Sequence, residues 1–122
     1  MKYAALLTSN ADDIAAWEKL SPEEAAAARA EEIPKWEALF GELGQTGILG
    51  AGFELDSPAT AKTVRVRGGE TLVTDGPFAE TKEQIGGLME LDAEDLDAAI
   101  AIAARIPVAS RASVELRPVI EH

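Results

Sequence analysis

The chain has 122 residues, 47% of them hydrophobic and 27% charged, which fits one domain with a real core. It contains no Cys, and its single His is the last residue, His122, so disulfides, thiolate metal sites and His-based acid/base machinery are not expected. A net charge of −11 argues against nucleic acid as a partner, although five of the six arginines lie in the second half and leave room for a locally basic pocket.

Lys2 to Thr8 reads as a first strand. Its apolar run is too short for a signal peptide, and nothing approaches the roughly 18 to 20 apolar residues of a membrane span, so a cytoplasmic protein is expected. Asn10-Ala11-Asp12-Asp13 caps a short helical turn carrying Ile14 and Trp17. Ser21-Pro22-Glu23-Glu24 is a stronger helix start, with Ser at the N-cap, Pro at the first helical position and Glu three residues after the cap. Pro34 predicts a kink or break near Ile33, because an interior Pro costs about 3 kcal/mol. Beyond it Ile33, Trp36, Leu39, Phe40 and Leu43 keep the spacing of a buried helical stripe, ended by Gly44.

Ile48 to Leu55 reads as a glycine-rich strand stopped by Asp56-Ser57-Pro58. Ala61 to Arg67 alternates Val64 and Val66 with Thr63, Arg65 and Arg67, and Gly68-Gly69 predicts a hairpin returning through Thr71 to Thr74. Ile85 to Leu91 is a further strand. Asp92 is expected to cap a second helix with the stripe Leu96, Ala99, Ile100 and Ala103, ending at Arg105, and Ser113 to Val119 is the last strand. This order predicts an α+β, ferredoxin-like antiparallel sheet with both helices on one face and an inserted hairpin. The opposite face is expected to carry Arg65, Arg67, Glu115 and Arg117. By alternation alone that face reads as solvated, with scattered ion pairs worth at most about 1 kcal/mol each.

Between the hairpin and the next strand lies the tract Asp75-Gly76-Pro77-Phe78-Ala79-Glu80-Thr81-Lys82-Glu83-Gln84-Ile85-Gly86-Gly87. Pro77 and Gly76 shape this charged loop, which makes it a better functional pointer than any core residue. The tract resembles the hallmark of the YCII-related proteins known as the DGPF-domain family. The resemblance extends over nearly the whole chain, from Met1-Lys2-Tyr3 through Leu20-Ser21-Pro22-Glu23-Glu24 and Ala61-Lys62-Thr63-Val64-Arg65 to Ala104-Arg105-Ile106-Pro107 and Val114-Glu115-Leu116-Arg117-Pro118-Val119. It implies a single domain over residues 1–122 and a homodimeric α+β barrel in which two sheets pack face to face, so that the charged face points inward. It also implies kinship with small-molecule enzymes that hold a cleft in each subunit, and with partners of extracytoplasmic-function sigma factors. This chain departs from the family at Leu88-Met89, where aromatics are usual, and in lacking the internal His of the related His–Asp pair.

Two functions follow as expectations. In the first, arginines hold a small anionic or carbonyl compound and Asp75 moves a proton in an isomerase- or lyase-like step without metal or cofactor. Gly50-Ala51-Gly52 lacks the following helix that a dinucleotide site requires. In the second, a non-catalytic dimer binds a metabolite or a sigma factor. Asp75 reads both as a general acid/base and as an Asx-type turn residue. Arg65, Arg67 and Arg117 read as anion-binding groups or salt-bridge partners, with Glu115 as the local partner of Arg117. Lys82 binds an anion or pairs with Glu80 or Glu83, and Phe78 anchors the loop or stacks on a ligand. Trp36 reads as core, and Trp17 as a cover for one end of the cleft.

Overall fold

The computed structural model describes residues 1–77 and 82–122; Phe78 lies outside them. The described elements run β1 (Lys2–Asn10), α1 (Ala11–Glu18), α2 (Pro22–Leu43), β2 (Leu49–Glu54), β3 (Lys62–Arg67), β4 (Glu70–Asp75), β5 (Glu83–Asp92), α3 (Leu96–Ala103) and β6 (Val114–Pro118). Short 3₁₀ turns occupy Pro58–Thr60 and Pro107–Ser110. Four strands form an antiparallel sheet in the order β2-β5-β1-β6, the ferredoxin-like order expected from the sequence.

Strand alternation divides the sheet into two unlike faces. In β1 the side chains of Tyr3, Ala5 and Leu7 are buried, opposite Leu91, Met89 and Gly87 of β5. These meet Leu39 and Leu43 of α2, Ala99 of α3, and Ile106 and Val108 of the following turn, forming the core. The other face carries a row that crosses all four strands, Phe53, Leu88, Leu6 and Glu115, and beside it Glu90, Ala4 and Arg117. Leu6 and Leu88 are only half-buried and Phe53 is 59% exposed, so this face is left largely uncovered.

The inserted hairpin departs from expectation. β3 and β4 pair only with each other and form a separate two-stranded ribbon. Arg65 and Arg67 therefore do not share a sheet face with Glu115 and Arg117. β2 and β5, which flank the insertion, are hydrogen-bonded neighbours, and the hairpin does not pair with the free edge of β2 either.

Helix α2 is continuous through Pro34, without a break near Ile33. A reciprocal capping box fastens its start: the Glu24 N–H donates to the Ser21 hydroxyl at 3.1 Å, and the Ser21 N–H donates to the Glu24 carboxylate at 3.0 Å. That backbone bond from Ser21, with help from its hydroxyl, holds the Glu24 carboxyl below the usual carboxylate range. Leu39 and Leu43 anchor the other end in the core. Pro34 has no N–H to offer the Ala30 carbonyl, and Ala30 is an exposed residue, where water can supply a donor in its place. The expected stripe is buried only in part, for Ile33 is 50% exposed and Phe40 48%. The N-cap of α3 is Asp95 rather than Asp92, its carboxylate accepting from the Ala98 N–H at 2.8 Å. Arg105 lies just past the helix end and pairs with Glu42. Among the described residues no helix is long and apolar enough to cross a membrane.

Candidate functional site

The incomplete burial of α2 has a structural counterpart, a groove of about 1120 Å³ between α1, the stretch of α2 from Ala28 to Phe40 and the edge of the sheet. This lies slightly above the roughly 300–1,000 Å³ of small-molecule sites. Its floor is bare because of two glycines. Gly87 sits opposite Leu7 and Gly52 opposite Met89, all on the face that α2 covers. A Cβ at Gly87 would touch the Leu7 side chain, and one at Gly52 the Met89 side chain, so larger residues here would reach up toward the helix. The register of β1 on β5 slips between Leu7 and Thr8, and that of β2 on β5 between Leu49 and Gly52, so both irregularities adjoin this floor.

The walls are aromatic. The capping of α1 by Asn10, whose side-chain oxygen accepts from the Asp13 N–H at 2.8 Å, starts a helix that sets Ile14 and Trp17 one turn apart on the groove side. Across from them Trp36 and Phe40 of α2 stack with ring centroids 5.9 Å apart. The rim is polar. Arg29 of α2 donates to a Glu54 oxygen of β2 at 3.0 Å and lays its guanidinium over the Trp17 ring, 5.1 Å from the centroid. Glu32 of α2 pairs with Arg111, and the Ser57 hydroxyl donates to Glu18 at 2.6 Å. Each tie is solvent-exposed and contributes little alone, at most about 1 kcal/mol, but together they link α1, α2 and β2 around the opening.

None of the described residues expected at the site lines this groove. Asp75 ends β4 with its side chain 85% exposed, paired with Lys62 on the neighbouring strand. The adjoining turn is shaped by Gly76 instead. Gly76 adopts φ +90°, donates its N–H to the Ala61 carbonyl at 2.8 Å, and accepts at its own carbonyl from the Thr63 hydroxyl, also at 2.8 Å. Arg65 and Arg67 occupy the ribbon face opposite Lys62 and Asp75, and an Arg67 guanidinium nitrogen donates to the Val66 carbonyl. Lys82 accepts at its carbonyl from the Ala11 N–H, which ties the end of the loop to the start of α1. Glu115 and Arg117 pair with each other on the open sheet face, the local partnership expected of them. Trp17 lines this groove on the helix side of the sheet rather than a cleft of the dimer, and Trp36 is a half-buried wall rather than plain core.

A four-stranded antiparallel sheet, helices on one face and a ligand-sized groove beneath α2 define a small α+β protein of the ferredoxin-like kind. The chain belongs to the YCII-related domain family, which matches residues 1–122. It is similar to an uncharacterized protein of Rhizobium meliloti (strain 1021), with 35% identity over 120 residues that cover 97% of this chain and 91% of that relative.

Proposed function

We propose that this YCII-related protein is a homodimer that binds a small, largely apolar molecule in the groove beneath α2. The observation that carries the binding reading is the floor of Gly52 and Gly87 between aromatic walls. Glycine inside a strand weakens it, and one reason to keep it there is the close approach of a ligand. The dimer reading rests on surfaces that water covers poorly. Phe53, Leu88 and Leu6 mark the open sheet face, and on one face of the ribbon Val64, Val66 and Val73 are 61%, 60% and 59% exposed. An isolated two-stranded ribbon is marginal in water, and full burial of each valine contributes about 1.5–3 kcal/mol. The two four-stranded sheets would meet face to face, with each ribbon laid against the second copy.

Binding is favoured over an isomerase- or lyase-like step. Proton transfer at neutral pH calls for an acid or base desolvated beside the ligand, and among the described residues no charged side chain is buried. Asp75 sits on the ribbon, paired with Lys62, and lies outside the groove lining.

The binding reading is tested by isothermal titration with indole, a neutral flat probe. Saturable binding with one site per chain is expected, with a dissociation constant on the order of 1 mM or below. Heats that stay linear to the solubility limit would contradict it. Asp75→Asn is expected to leave that affinity within about twofold, and stability in a denaturant titration within about 1 kcal/mol. Unfolding of this variant would instead assign the carboxylate to holding the turn.

A further inference from the structure

Resting on the groove reading, we infer that the groove selects ligands with a positive charge attached to a flat apolar body. Two independent features carry this. The first is charge: the lining contains seven carboxylates against three basic groups, Arg29, Lys35 and Arg111. Two of those three already face a carboxylate, Arg29 with Glu54 and Arg111 with Glu32. The excess is therefore negative, within a chain of net charge −11, and an anionic ligand would enter against both the local and the overall field.

The second feature is geometric. The guanidinium of Arg29 rests on the face of Trp17, 5.1 Å from the ring centroid, and donates to Glu54 at 3.0 Å. It is a flat cation held between an aromatic face and a carboxylate, the arrangement by which proteins recognise organic ammonium and guanidinium groups. This cation is tethered to α2, and its side chain is 54% exposed, so it can turn outward into water. A ligand cation can then take its place while the apolar body lies on the Trp36–Phe40 stack. Arg29 thus acts as an internal competitor for the cation position.

Three probes share one bicyclic ring and differ in charge: tryptamine, indole and indole-3-acetate. Titration calorimetry at low ionic strength is expected to rank them in that order, tryptamine binding about three- to tenfold more tightly than indole and the acetate more weakly than indole. Raising the salt concentration should compress the series. Arg29→Ala should raise the ratio of tryptamine to indole affinity several-fold, because the place on Trp17 and Glu54 becomes free. Glu54→Gln should reduce the preference for tryptamine over indole several-fold. If Arg29 only braced the groove, Arg29→Ala would weaken all three probes alike, and the inference would be overturned. Indole binding with no advantage for tryptamine would overturn the charge selectivity and leave the groove reading standing. Failure of all three to bind would overturn both.

Discussion

Gly87→Leu is expected to remove indole binding while leaving the protein folded. Gly87 is buried on β5 at the floor of the groove, and a Cβ there would lie 3.3 Å from the Phe53 carbonyl oxygen and 3.6 Å from the Leu7 Cβ. Those contacts demand a shift of a few tenths of an ångström. The rest of the leucine side chain would then extend toward α2, through space that the ligand is proposed to fill. Overpacking costs about 1–3 kcal/mol in a filled core, but here an open groove accepts much of the new volume, so the expected loss of stability is at the lower end. Affinity should fall by at least about tenfold, equivalent to about 1.4 kcal/mol. Gly87→Ala is the control, since a single methyl adds little volume and should leave binding largely intact. Titration calorimetry beside a denaturant unfolding curve separates the two effects. Unchanged affinity in a folded Gly87→Leu protein would place the ligand elsewhere.

The second large effect concerns assembly. Val64 and Val73 face each other across the ribbon on the side that carries Lys62, Val66 and Asp75. Replacing both, as Val64→Glu with Val73→Glu, puts two charges where burial against a second copy is proposed. With about 1.5–3 kcal/mol at stake per valine, and both ribbons affected, the dimer dissociation constant should rise at least about a hundredfold. Light scattering should then give the mass of one 12.9 kDa chain where the wild type gives two. Like charges across a strand pair also weaken the ribbon itself, which is why a control is needed. Arg67→Glu, directly opposite Glu70, places two like charges on the ribbon's other face and should leave the dimer intact. A valine variant that still dimerises at micromolar concentration, or a monomeric wild type, would contradict the proposed assembly.

The frame of the fold was legible because local and global signals agreed. Alternation in β3 and β6, the capping box at Ser21–Glu24 and the Gly68-Gly69 turn each point to the element they form, and the succession of those elements along the chain fits the ferredoxin-like pattern. Pro34 misleads as a break signal because its cost is a local quantity. A carbonyl on an exposed residue, a capped start and two buried leucines downstream outweigh it, and none of these is visible in the residues around the proline. The ribbon was read correctly as a hairpin but placed in the wrong sheet, since alternation fixes which residues share a face and says nothing about which strands neighbour one another.

The groove was the least legible part. Attention to charge favoured Asp75, Arg65, Arg67 and Arg117, residues that the fold leaves on the ribbon and on the open sheet face. The signal that could have found the groove was an absence of side chains. Gly52 and Gly87 interrupt two apolar strands at positions that pairing brings near each other on the helix-facing side. A second signal lay in the long α2 stripe, which has more apolar residues than Leu39 and Leu43 need to reach the core. Ile33, Trp36 and Phe40 are the surplus, and all three line the groove.

The location of the site can be measured directly through the two tryptophan side chains. With the protein labelled with ¹⁵N, an indole titration followed by proton–nitrogen correlation spectra should move the Trp17 and Trp36 ring N–H signals together with the Gly87 amide, on one saturating curve. Signals from Lys62, Asp75 and Lys82 should stay in place. Shifts confined to those last three residues, with both tryptophans unmoved, would put the binding site at the loop after β4 and contradict the groove.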